Sequence, residues 1–135
     1  MKHLLILSLF ILNTTNQIPK NDKIYLAHGL EHGINHLYGV SEIIIKSDFT
    51  FSWKTYNTNK VNWKNYLNGK KIIHINGKVL KENDLYVLKE VGSNTKGQNE
   101  WIVNIKKEKI EFYIKENSKI IKTKTEYKRI KTIDK

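Results

Sequence analysis

From residue 40 onward, apolar and polar side chains take turns along the chain, and the segments in which they do so are short. The cleanest run is Phe49 to Tyr56, which places Phe49, Phe51, Trp53 and Thr55 on one face and Thr50, Ser52, Lys54 and Tyr56 on the other. A period of two is that of a half-buried strand. Before it, Val40 to Lys46 is apolar and rich in β-branched residues, and Ser47-Asp48 offers turn chemistry, so the two segments are predicted to form a hairpin. The same grammar recurs in Lys71 to Ile75, a turn at Asn76-Gly77, Lys78 to Lys81, a turn at Asn83-Asp84, and Leu85 to Leu88. A polar loop over residues 92–99 leads to three further strands. In these, Trp101, Val103 and Ile105, then Ile110, Phe112 and Ile114, then Ile121, Thr123, Thr125 and Tyr127 are predicted to face the core.

Short links between such runs imply antiparallel neighbours. The pattern therefore predicts an all-β domain: a single antiparallel meander of seven or eight strands that closes into a barrel or bends strongly, with no long helix. A parallel α/β arrangement is excluded. Residues 26–39 and 57–68 fit neither period.

The N-terminus departs from this rhythm. Met1-Lys2-His3 precedes nine apolar residues, Leu4 to Leu12, and then the polar stretch 13–17. Nine residues are too few to span a bilayer, which needs about 20. Residues 1–17 read as a secretory signal peptide, 18–22 as a lead-in containing the only proline, and 23–135 as the β domain. The expected location is secreted or periplasmic, with no transmembrane segment in the mature protein. The chain has no cysteine, which removes disulfides, thiolate nucleophiles, cysteine-ligated zinc and an N-terminal lipid anchor.

The formal charge is +11, which favours anionic partners such as an anionic envelope surface. The charge is nearly all lysine, with Arg129 the single arginine, and isoleucine, lysine and asparagine together make up 57 of the 135 residues. That composition follows from an AT-rich coding sequence. The lack of arginine forks argues against specific nucleic-acid binding.

Three constellations could carry chemistry. His28-Gly29-Leu30-Glu31-His32 spells H-x-x-E-H, and His36 follows, so His28, His32 and His36 are metal-ligand candidates, with Glu31 as general base of a small metal-dependent hydrolase. Against this, His28 and His36 would lie about 12 Å apart on a helix. Gly29 and Gly33 also disfavour that helix, so a glycine-rich loop or irregular strand is the first reading. Trp53, Tyr56, Trp63 and Tyr66, interleaved with Asn57, Asn59, Asn62, Asn65 and Asn68, could line a site for a small apolar ligand or a glycan. The alternative places Trp53 in the core and Trp63 as a plug at the open end of a barrel. Lys115, Lys122, Lys124 and Lys128 alternate with core positions and, with Lys106, form an outward anion-binding stripe, Lys109 lying beside it. No Ser-based nucleophile motif or phosphate loop is present, so no catalytic residue and no cofactor is assigned.

Lys46 to Trp53, Gly77-Lys78-Val79 with Asn83 to Leu88, and the closing Tyr127 to Ile130 together resemble the small lipocalin-like exported proteins of Gram-negative bacteria. Phe49 stands where that pattern has glycine and Val79 where it has tryptophan. Phenylalanine resists the positive φ of a tight primed turn, which predicts a longer loop there. The resemblance spans roughly residues 40–130 and implies a fold more than an activity. The expected role is that of an exported, non-enzymatic binding or structural accessory module.

Overall fold

The computed structural model describes residues 22–30, 38–92 and 99–130. Among these lie eight strands: β1 (Lys23–Leu30), β2 (Tyr38–Ile45), β3 (Thr50–Thr58), β4 (Lys70–Glu82), β5 (Leu85–Glu90), β6 (Glu100–Ile105), β7 (Lys109–Glu116) and β8 (Lys119–Arg129). A six-residue 3-10 helix, Trp63–Asn68, joins β3 to β4. The expected signal peptide (1–17) and most of the expected lead-in lie outside the described residues, as do Glu31, His32 and His36.

Each strand pairs antiparallel with the next, and β8 returns to β1 to close a barrel. The seam is short, with Tyr25 opposite Arg129 and Leu26 opposite Lys128. Beyond it, the Ile130 amide donates to the Ile24 carbonyl at 3.0 Å. Closure pairs β8 with β1 only at this short seam, which limits the sheet edge available to another chain. The meander expected from the alternation is therefore the fold, in its closed form.

Two turns differ from expectation. Asn76-Gly77 is not a turn: β4 runs through it, with Gly77 opposite Phe51 on one side and Glu90 on the other. A Cβ at position 77 would stand 2.0 Å from the Lys89 carbonyl oxygen and 2.6 Å from Phe51 Cε1, so glycine is there to let neighbours approach. The β2–β3 connection is longer than two residues, as expected, yet Phe49 does adopt positive φ (65°) and is 47% exposed rather than core. Asp48 holds that turn, its Oδ1 accepting from Thr50 Oγ1 (2.5 Å) and the Thr50 amide (3.2 Å).

Side chains fill the barrel unevenly. Tyr25, Ile43, Ile45, Phe51, Val79, Leu88, Val103, Ile110, Phe112 and Tyr127 form one buried cluster inside. A second cluster lies on the outer wall of β1–β3, where Leu26, Tyr38, Val40 and Tyr56 are covered by Tyr66 and Trp63 of the 3-10 helix. Trp63 thus covers the outside of the wall and does not plug the barrel.

Candidate ligand-binding site

Strand alternation sends Ser41, Trp53, Thr55, Ile75, Trp101 and Thr123 to the inner face, beyond the buried cluster and toward the end where β3 meets β4. These six are only half-buried, while Tyr25, Leu88, Val103 and Ile110 below them are closed to solvent. Further out on the same face, Ile73, Ile114 and Ile121 are exposed. Among the described residues, the barrel is therefore packed at one end and exposed at the other. An eight-stranded barrel is just wide enough for side chains to fill it or for one small ligand to enter.

Trp53 is the hub of the open half. Its ring meets Trp101 edge-on with centroids 5.0 Å apart, Phe112 at 5.5 Å and Tyr127 at 5.8 Å. Its Nε1–H donates to Ser41 Oγ at 2.8 Å, and the Tyr127 hydroxyl donates to the same oxygen at 2.8 Å. Burial pushes the Tyr127 hydroxyl pKa up, so it remains a donor. With both Ser41 lone pairs taken, the Ser41 hydrogen goes to Thr55 Oγ1, 3.2 Å away. Among the described residues, the Thr55 hydroxyl hydrogen is then left to donate into the exposed half, near Trp53 and Trp101.

The aromatic residues proposed from sequence do not converge. Trp53 belongs to the interior, whereas Tyr56, Trp63 and Tyr66 sit together on the outer wall. Trp63 stacks on His28 with centroids 3.8 Å apart and 14° between planes, and His28 Nδ1 is hydrogen-bonded to the Tyr38 hydroxyl. Tyr66 meets Tyr56 edge-on and donates to the Glu42 carboxyl. Asn59, Asn62, Asn65 and Asn68, with Thr58 and Gly69, line a separate depression of about 550 Å³. Asn57 is elsewhere, half-buried on β3, with its Oδ1 buried and unpartnered. His28 lies in β1, in agreement with a strand reading of that segment. Among the described residues no group of three or more His, Asp or Glu is placed to hold a metal.

The lysine stripe divides into two kinds. Lys106 (2.8 Å) and Lys122 (2.5 Å) bond to the buried Glu111 carboxylate, joined by Lys109 at 3.4 Å. Lys109 and Lys122 also reach Glu126. Among the described residues, Lys115, Lys124 and Lys128 have no such carboxylate. Hydrogen bonds from Lys106 and Lys122 hold the Glu111 pKa down to about 2. A glutamate near 4.5 in the unfolded chain and about 2 in the folded one stabilises the fold fully above pH 4.5, and that stability is lost as pH falls toward 2. Melting temperature measured from pH 5 to pH 2 should therefore fall less steeply in Glu111→Gln than in the parent; parallel profiles would contradict the assignment.

The geometry defines a class: an eight-stranded antiparallel meander barrel, packed at one end and, among the described residues, exposed at the other. Comparisons with protein-family models, with curated proteins and with solved structures found no match for the chain.

Proposed function

We propose that this chain is an exported, non-enzymatic binding protein whose open barrel half takes a small, flat, mainly apolar ligand carrying one hydrogen-bond acceptor. The observation that carries the reading is the chain of hydrogen bonds through Ser41, which leaves the Thr55 hydroxyl hydrogen unspent beside half-exposed Trp53 and Trp101. Fixed donors among apolar walls are the usual make-up of a small-molecule site. Export rests on residues 1–17, and the resemblance to small lipocalin-like exported proteins of Gram-negative bacteria agrees with it.

Because Trp63 is on the outer wall, Trp63→Phe leaves a protein whose tryptophan emission comes from the interior. Titrating that variant with fatty acids and aromatic carboxylates should change its emission saturably. Thr55→Val should weaken binding about tenfold, the cost of one lost hydrogen bond to the ligand. Emission indifferent to every compound, or affinity unchanged by Thr55→Val, would remove the proposal.

A further inference from the structure

The wall made by β3, the 3-10 helix and β4 has a property that the lysine stripe on β7–β8 lacks. From Phe49 to Lys81 the chain holds seven lysines and no aspartate or glutamate. None of these lysines has a carboxylate within 4.0 Å among the described residues, in contrast to Lys106, Lys109 and Lys122. The acid directly across a strand from one of these lysines, Glu42 opposite Lys54, is buried and takes its hydrogen bond from Tyr66. His74 on the same wall has its pKa lowered, by desolvation first and then by Lys71 and Lys54.

Large aliphatic side chains stand among these charges. Val61 is 90% exposed and Leu67 65%, and Ile72 beside Lys71 is 40% exposed. The amide-lined depression of about 550 Å³ is formed by residues from Thr58 to Gly69, the stretch that also carries Lys60 and Lys64, and its asparagine NH₂ groups are donors suited to phosphate and glycerol oxygens. A polyanion in water would gain from the lysines but not from the aliphatics. The two together match the interface of an anionic bilayer, where apolar side chains leave water while lysines stay with the head groups. Charged or ionisable outward residues midway along the wall, Lys54 and His74, suit a surface lying on a bilayer rather than within it.

We propose that the Lys60 to Ile72 face docks on anionic phospholipid membranes, Val61 and Leu67 entering the interface and the asparagine depression receiving a head group. The proposal is independent of the ligand reading for the barrel interior, because it concerns the outer wall and is tested with no interior ligand.

The test is co-sedimentation of the purified protein with vesicles of phosphatidylglycerol in phosphatidylcholine, against phosphatidylcholine alone, with circular dichroism confirming that each variant is folded. Binding should require phosphatidylglycerol and weaken with salt. Lys60→Gln with Lys64→Gln should lower partitioning about thirtyfold, two lysines' share of attraction to an anionic surface. Val61→Ser with Leu67→Ser should lower it on the order of tenfold through lost apolar burial. Lys124→Gln with Lys128→Gln, away from this face, should change it less than about threefold. Absence of binding would overturn the proposal, as would equal losses from the Lys124 and Lys128 pair, which would mean net charge alone. An unaffected Val61/Leu67 variant would point to a soluble polyanion instead. A concentration-dependent dimer in sedimentation velocity, abolished by Val61→Ser with Leu67→Ser, would mean that a second copy of the chain covers the face.

Discussion

Replacing Gly77 by alanine should destabilise the barrel by about 3 kcal/mol, the upper end of the usual cost of overpacking a core. A Cβ there would sit 2.0 Å from a backbone oxygen and 2.8 Å from the same carbonyl's carbon, both of Lys89, and 2.6 Å from the Phe51 ring, itself 1% exposed. A flexible side-chain tip could swing away, but the Lys89 carbonyl lies in β5, directly beside β4. Relief would require β4 and β5 to separate beside the buried Phe51, Val79 and Leu88. Gly29 is the matched control: nothing lies within 4 Å of a Cβ built there, so Gly29→Ala should leave stability within about 0.5 kcal/mol. Urea unfolding followed by tryptophan emission measures both. A Gly77→Ala midpoint near that of the parent would show that β4 and β5 are more loosely joined than this geometry requires.

The same glycine marks the limit of what could be read from residue order. Asn-Gly between apolar runs is the strongest short-range signal for a hairpin, and only knowledge of what lies on both sides of β4 shows that the glycine is needed for clearance. Strand β7 was legible because Ile110 and Phe112 face inward and are apolar, while Glu111 and Tyr113 between and beyond them carry polar groups. β1 was obscure for the opposite reason: Tyr25 is buried inside and Leu26 outside, so period two is lost where the 3-10 helix covers the wall. Trp53 was singled out by its residue type, but its partners Ser41 and Thr55 come together only through the β2–β3 register. Sequence spacing likewise could not show that Glu111 and Glu126 neutralise part of the lysine stripe, since their contacts cross from β7 to β8. Residue order placed the anion-binding lysines on the last strands and passed over the acid-free stretch from Phe49 to Lys81, whose meaning depends on seeing those lysines without a carboxylate partner among the described residues.

Tyr66→Phe should cost about 2–3 kcal/mol, more than an ordinary hydrogen bond, because it strands an acceptor that water cannot reach. Glu42 is 4% exposed, and among the described residues its hydrogen-bond partner is the Tyr66 hydroxyl. Burial first, and then the Glu42 carboxyl, push the Tyr66 pKa far above the ordinary phenol value, so the donor persists at any working pH. The 3-10 helix has little to stand on without this contact. It is six residues long, lacks a side-chain N-cap bond, contains non-helical dihedrals at Asn65, and buries only Tyr66. Phenylalanine keeps the ring against Tyr56 and removes only the donor, so the effect isolates the bond. Adding Glu42→Gln should restore at least about 1 kcal/mol, since an amide is less costly than a carboxylate to leave without its donor. Trp63 reports on the same event: once the helix lifts, its stack on His28 is lost and its emission should shift to the red and become open to acrylamide. A loss under about 0.5 kcal/mol, or strict additivity of the two substitutions, would show that the helix is held by its apolar contacts alone. Because Lys64 and Leu67 lie on this helix and Lys60 just before it, the same bond then decides whether the basic face is presented as one surface.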